Sequence, residues 1–90
     1  MTGNPTPRVA IDMNELARNG LILSHRSWYH DLPDGDPVGL WVLATDITDA
    51  ISFPAQIVES TGMIHYLKFL QEDVDAAYDR QAKGIIDDIL

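Results

Sequence analysis

Residues 31–60 read DLPDGDPVGLWVLATDITDAISFPAQIVES and contain the densest apolar run of the chain together with its clearest turn signals. A strand over Val38–Thr45 would be largely apolar on both faces, so both faces would need a cover. Asp46–Asp49 is typical of a turn, and from Ile51 to Ile57 every second residue is apolar, as in a strand with one buried face. The stretch predicts the central β-hairpin of a small barrel or curled sheet.

Pro54 lies in the second arm of this hairpin. A proline has no N–H to donate to a neighbouring strand, so within sheets it occurs at edges or at bulges. We therefore expect this arm either to be an edge strand or to bend at Pro54.

On the N-terminal side, alternation of apolar and polar residues predicts a strand over Val9–Met13. Asn14 can cap a helical turn over Glu15–Arg18, and Gly20 can adopt the left-handed conformation that ends it. A second strand over Leu21–His25 follows. A single helix over 11–19 is the alternative for this connection.

On the C-terminal side, Met63–Leu70 satisfies both strand alternation and helical spacing, and its aromatic residues and the preceding glycine favour a strand. The last segment, 73–89, predicts an amphipathic helix with Asp73 as its N-cap. Its apolar stripe is expected to cover the barrel mouth or the second apolar face of the 40–45 strand. Packing across a homodimer is the alternative, since a small core gains from oligomerisation.

The predicted fold is a single α+β domain. It has about five strands in a small SH3-like β-barrel or curled antiparallel sheet, with one C-terminal amphipathic helix. Ninety residues allow only one core. Residues 1–8 are rich in proline and lack apolar periodicity, which indicates a disordered leader, so the domain is expected to span 9–90, with its β-rich part over 9–70.

A pattern-level resemblance supports this fold. VAIDMNELARNGLI at 9–22, the turn Gly35–Val38 and WVLATDITDAISFPAQIVES at 41–60 resemble segments of short uncharacterised bacterial proteins of the actinobacterial type that look like small SH3-like barrels. The likeness covers Val9 to Leu70 and rests on turn and strand signatures. It implies a fold and a binding role in general terms, with no catalytic residues to carry over.

Composition limits the classes of partner. Fourteen acidic residues against six basic ones give a formal charge of −8, so nucleic-acid backbones and anionic membranes should be repelled. The chain has no cysteine, which excludes disulfides and thiolate chemistry. No signal-peptide pattern and no apolar run of the ~20 residues that a membrane span needs is present. A cytoplasmic protein is the simplest interpretation.

Two groups of residues have the chemistry of metal ligands, but their spacing argues against a site. His25, His30 and Asp31 match no helical ligand pair. Asp31, Asp34 and Asp36 lack the spacing and the distal glutamate of an EF-hand loop, and turn formation beside prolines explains them better. The sequence therefore predicts no metal, no cofactor and no enzymatic activity.

Trp28, Tyr29 and His30 are three consecutive ring side chains in the Pro- and Asp-rich stretch 27–37. They cannot all turn inward, and amphipathic rings are favoured interface anchors, although Trp28 could instead plug an open end of the barrel. We predict a non-enzymatic, acidic protein-binding or regulatory module that uses these three residues, with Trp41 as a second choice.

Two alternatives belong to other functional classes. In the first, acids on the Glu72–Asp88 helix imitate nucleic-acid phosphates and occupy the basic site of a DNA-binding protein. In the second, the protein is a small-ligand-binding domain, which requires a pocket that joins His25 or His30 to a carboxylate.

Overall fold

A computed structural model describes residues 6–14, 20–46 and 48–84 of the chain. Within these residues it contains five strands and one helix: β1 (Arg8–Ala10), β2 (Ile22–His25), β3 (Trp41–Asp46), β4 (Ile51–Thr61), β5 (Ile64–Lys68) and α1 (Gln71–Ala82). The predicted α+β composition is confirmed. Met63–Leu70, which was ambiguous in the sequence, contains a strand.

The five strands form one mixed sheet in the order β1-β3-β4-β5-β2. The predicted hairpin is present, because β3 and β4 pair antiparallel from Trp41↔Gln56 to Asp46↔Ile51. The expectation of a wholly antiparallel sheet is wrong for one pairing, since β1 runs parallel to β3. Parallel neighbours need a long crossover, and residues 11–40, which include β2, supply it.

The sheet curls without closing, so a closed SH3-like barrel is not confirmed. No ladder joins edge strands β1 and β2 in the described residues. Instead, the Ser24 hydroxyl donates a buried hydrogen bond of 2.8 Å to the carbonyl of Ala10. The chain beyond β2 then returns along β1, where Val9 and His30 form an antiparallel bridge. The Ala10 N–H donates to the Tyr29 carbonyl at 2.9 Å.

Pro54 lies where β4 has a strand partner on one side only. It pairs with Leu43 of β3, whereas β5 joins β4 only from Gln56 onward. The missing N–H therefore interrupts no ladder between described strands, as the edge interpretation requires. The bulge is elsewhere, at the register shift between Ile57 and Glu59.

The hydrophobic core lies between the inner face of the sheet and α1. Phe53 is its largest side chain, and the residues that α1 contributes are Val74 and Ala77. The helix packs mainly on β4. The Arg80 guanidinium donates to the Ser52 carbonyl at 3.0 Å, and Phe53 contacts Phe69 with ring centroids 5.7 Å apart.

The sequence predicted that both faces of the 38–45 strand would be covered, and the outer face is covered only in part. The helix buries the inner face of the hairpin, but on the outer face Trp41, at the start of β3, remains 59% exposed. Only further along the strand is the outer face buried, where the Thr45 and Ser52 hydroxyls lie 3.0 Å apart.

The helix begins earlier than predicted. Its N-cap is Leu70, which makes no side-chain capping bond, and Asp73 lies within the first turn instead of capping it. Glu72 and Asp73 still suit the positive end of the helix dipole. No helix in the described ranges is long and apolar enough to cross a membrane.

Two residues that the sequence assigned to the leader take part in the sheet. Pro7 and Arg8 are already structured, because the Leu43 N–H donates to the Pro7 carbonyl at 2.8 Å and Arg8 begins β1. Gly20 has the predicted positive φ, at 72°. The predicted helical turn Glu15–Arg18 and the segment 85–89 of the predicted helix lie outside the described residues.

Candidate functional site

The described surface has three recesses of interest, and each contains at least one of the residues singled out in the sequence. We call them the histidine recess, the Trp28 recess and the Trp41 recess. They differ in chemistry and lie at different places on the sheet.

The histidine recess measures about 390 Å³ and forms where the 26–37 loop meets the start of β5. Its polar lining is Arg26, His30, Asp34 and His65. Arg26 directly follows β2, and its N–H donates to the Met63 carbonyl at 2.7 Å, which extends the pairing between β2 and β5. Two separate chain segments, the 26–37 loop and β5, thus bring a guanidinium, two imidazoles and a carboxylate to one recess.

His65 is the most constrained of these groups. It faces the inner side of the sheet, is only 2% exposed, and lies 2.9 Å from the Ser60 hydroxyl through Nδ1. Burial lowers the pKa of His65 from its usual 6.5, and the positive charges of Arg26 and His30 add to this effect. The ring is therefore neutral at physiological pH, and a Ser60 hydroxyl that donates to Nδ1 leaves the proton on Nε2.

His30 meets His65 edge to face, with ring centroids 6.5 Å apart and an interplanar angle of 88°. Its Nδ1 accepts a long hydrogen bond of 3.4 Å from the Leu32 N–H. An Nδ1 that accepts cannot also carry the proton of the neutral ring, so Nε2 is the N–H donor here as well. Two imidazoles, each with Nδ1 in a local hydrogen bond, thus line the same recess as the Arg26 guanidinium.

Arg26 and Asp34 line the same recess without pairing. Within the described part of the chain, neither side chain makes an ion pair or a hydrogen bond. The rest of the lining is mainly apolar, from Leu32, Pro33, Pro37 and Met63. The arrangement therefore offers charged and N–H groups next to an apolar wall.

The Trp28 recess measures about 330 Å³ and is lined by Trp28, Tyr29, Ala10, Ile11 and Thr48. Trp28 is partly exposed and is not among the residues of the hydrophobic core, and its ring lies 6.0 Å from that of His25. Tyr29 is 52% exposed. The adjacent backbone is fixed on β1, so these rings are presented by a strand-bound segment.

The Trp41 recess measures about 180 Å³ and lies on the outer face of the sheet. Trp41, Gln56 and Lys68 are neighbours across β3, β4 and β5, and cross-strand partners share a face. Phe69, Leu70 and Asp73 complete the lining. Leu70 is 53% exposed, so two large apolar side chains meet solvent side by side.

The four predicted contact residues therefore do not form one surface. Trp28 and Tyr29 share a recess, His30 lines the histidine recess, and Trp41 belongs to the third. Arg26, His65 and Leu70 were missed. Strand alternation in β5 could have placed His65 beside Leu67 on the inner face, but pairing it with His30 needs the tertiary structure.

One aspartate of the loop, Asp36, behaves as the turn interpretation predicts, whereas Asp31 contacts a residue far away in sequence. Asp36 Oδ1 accepts from the Val38 N–H at 3.0 Å, and Asp31 Oδ1 accepts from the Arg8 N–H. His25 Nδ1 contacts the Ser27 hydroxyl at 2.7 Å. Among the described residues, no group of three or more His, Asp or Glu side chains could hold a metal ion.

Comparison with known proteins adds no assignment: no family model, no curated protein and no solved structure matches the chain. The function has to be inferred from the recesses themselves.

Proposed function

We propose that this protein is a non-enzymatic binding module that takes a basic protein partner through the Trp41 recess. The observation that carries the proposal is Trp41, 59% exposed on the outer face of the sheet beside Leu70, which is 53% exposed. Tryptophan is enriched among the residues that dominate interface energy.

The magnitude of the available burial supports this assignment. A tryptophan offers about 150–250 Å² of surface, and apolar burial stabilises by about 25 cal/mol per Å². Covering the part of Trp41 that is now exposed would supply on the order of 2–4 kcal/mol before the costs of association. That amount is typical of a hot-spot residue at a protein interface.

The surroundings of the recess indicate what the partner carries. Glu72, Asp73 and Asp75 lie within five residues after Leu70, and Asp73 lines the recess itself. Lys68 is the basic residue of the lining. With a formal charge of −8 over the whole chain, an apolar side chain flanked by Lys or Arg would complement this surface best.

The proposal is tested by selecting peptides from a random library on the full chain and measuring their Kd by isothermal titration calorimetry. We expect the selected peptides to place Lys or Arg next to an apolar anchor. Trp41→Ala should weaken their binding by about 30-fold or more, as a hot-spot truncation does, while the thermal midpoint stays within a few degrees.

Tyr29→Ala provides the matched control, because Tyr29 is an aromatic side chain of similar exposure in another recess. If Tyr29→Ala abolishes binding and Trp41→Ala does not, the partner uses the Trp28 recess and the present assignment is wrong. Concentration-dependent dimerisation that Trp41→Ala removes would instead identify a second copy of the chain as the occupant.

Salt dependence separates this proposal from nucleic-acid mimicry. An apolar anchor with a few charges at its rim should lose less than about tenfold in affinity between 0.05 and 0.2 M NaCl. A mimic whose acids replace six or more phosphates would lose about 10³–10⁵ over the same range. The second result would contradict an interface centred on Trp41.

A further inference from the structure

The histidine recess concentrates positive character on an acidic protein. Of the six basic residues and three histidines in the chain, Arg26, His30 and His65 line this one recess of about 390 Å³. Arg26 and His30 already act electrostatically on His65, because both help to lower its pKa. A cluster of this kind becomes more favourable when an anion lies among its members.

We propose that the histidine recess binds a small organic molecule through a carboxylate or phosphate group, which accepts hydrogen bonds from Arg26, His30 and His65. This site is separate from the Trp41 recess, which lies on the opposite face of the sheet.

The donor set fits an oxyanion. A guanidinium presents planar N–H groups that match two oxygens of a carboxylate or phosphate. The two imidazoles hold Nδ1 in local hydrogen bonds, at Ser60 for His65 and at Leu32 for His30. Where Nδ1 accepts these bonds, each ring keeps its Nε2–H for a ligand.

The remaining lining fits the body of such a molecule. Leu32, Pro33, Pro37 and Met63 give the recess an apolar wall, and its volume lies within the range of about 300–1,000 Å³ that is usual for small-molecule sites. Asp34 is the one acidic residue of the lining and is exposed. Its negative charge should weaken the binding of an anion.

The test is an NMR titration of the full chain at pH 6 with inorganic phosphate and, separately, with benzoate. Phosphate probes the oxyanion contacts alone, and benzoate also probes the apolar wall. We expect saturable shifts of the His30 and His65 imidazole resonances, with Kd values of about 0.1–10 mM for such small probes. His25 lies outside the recess and should shift little. Tighter binding of benzoate would identify a carboxylate ligand, and tighter binding of phosphate a phosphorylated one.

Two exposed positions give variants that should fold normally. Arg26→Gln should weaken binding of both probes by about tenfold or more, since it removes the charge-assisted donor. Lys83→Gln is the matched control, because it removes the same charge from an exposed lysine that pairs with Asp79 at the end of α1. It should change the Kd by less than about twofold, because Lys83 does not line the recess and exposed charges are screened by salt.

Asp34→Asn tests independently whether the recess binds a negatively charged ligand. Removing this negative charge should tighten phosphate binding by about two- to fivefold. The proposal is overturned if the His30 and His65 shifts do not saturate, if Arg26→Gln and Lys83→Gln weaken binding equally, or if Asp34→Asn weakens it. Trp41→Ala should leave these affinities unchanged.

Discussion

The histidine recess and the Trp41 recess both use side chains of β5, but from opposite faces of the strand. His65, near the start of the strand, faces inward and is 2% exposed, whereas Lys68, at its end, faces outward beside Trp41. A buried imidazole must find its hydrogen-bond partner within the fold, and Ser60 supplies it. An exposed tryptophan has no such requirement.

This difference in burial indicates which recess can be mutated without unfolding the domain. Buried polar groups are costly when they lose a partner, so the lining around His65 is tied to the stability of the whole domain. Trp41 contributes little buried area to the core, so its apolar surface remains available for a partner. Stability measurements should therefore separate the two recesses before any ligand is known.

The largest difference is expected between His65→Ala and Trp41→Ala. The first leaves a cavity and an unpartnered Ser60 hydroxyl, which should lower the free energy of unfolding by about 2–3 kcal/mol. The second alters an exposed side chain and should cost less than about 1 kcal/mol. Urea denaturation of both variants measures this, and equal losses would show that Trp41 is part of the cooperative core.

The next test uses the pKa of His65, which burial, Arg26 and His30 lower below the usual 6.5. The unfolded chain then binds more protons than the folded protein, so His65 contributes stability above pH 6.5 that is lost as the pH falls through its folded-state pKa. The charged and titratable groups that share the recess are Arg26, His30 and Asp34.

We therefore expect the free energy of unfolding to decrease as the pH is lowered below 6.5. The slope should be smaller in His65→Gln, which removes the titrating group, and unchanged in Trp41→Ala. Urea denaturation at several pH values gives the three slopes. A slope that is the same in His65→Gln and in the wild type would assign the acid sensitivity to other groups.

The smallest effect is expected at Tyr78, which fixes the helix that begins beside the Trp41 recess. Its hydroxyl donates to Asp49 Oδ2 at 2.8 Å. Burial raises the pKa of Tyr78 to about 12, with the hydrogen bond to Asp49 and the charges of Asp49 and Asp46 adding to it. The stability that this tyrosine contributes is complete below pH 10 and is lost as the pH rises through about 12.

Tyr78→Phe should cost about 0.5–1 kcal/mol at pH 7, a value reduced for solvent screening because the side chain is partly exposed. Above pH 10, the free energy of unfolding should also decrease less steeply in Tyr78→Phe than in the wild type. Peptide affinity at the Trp41 recess should change by less than about twofold, since Val74 and Ala77 still pack the helix against the core. A larger change would show that the bond to Asp49 positions Leu70.

Several elements could be predicted because their signals are local. The turn aspartates and Gly20 mark chain reversals, and the apolar alternation of the hairpin sets the facing of β3 and β4. The start of the helix was predicted too late, because aspartate is a common N-cap residue and Asp73 was assigned that role. The N-cap is Leu70, whose side chain makes no capping hydrogen bond. Phe69, the residue before this N-cap, packs on Phe53 of the core.

The sequence by itself determined the acidic composition, the α+β class and the central hairpin, since composition and periodicity depend only on neighbours in the chain. The tertiary structure decided that β1 runs parallel to β3, that His30 meets His65, and that Trp41 is left without a cover in the described fold. These features depend on contacts between residues far apart in sequence, and no local pattern encodes them.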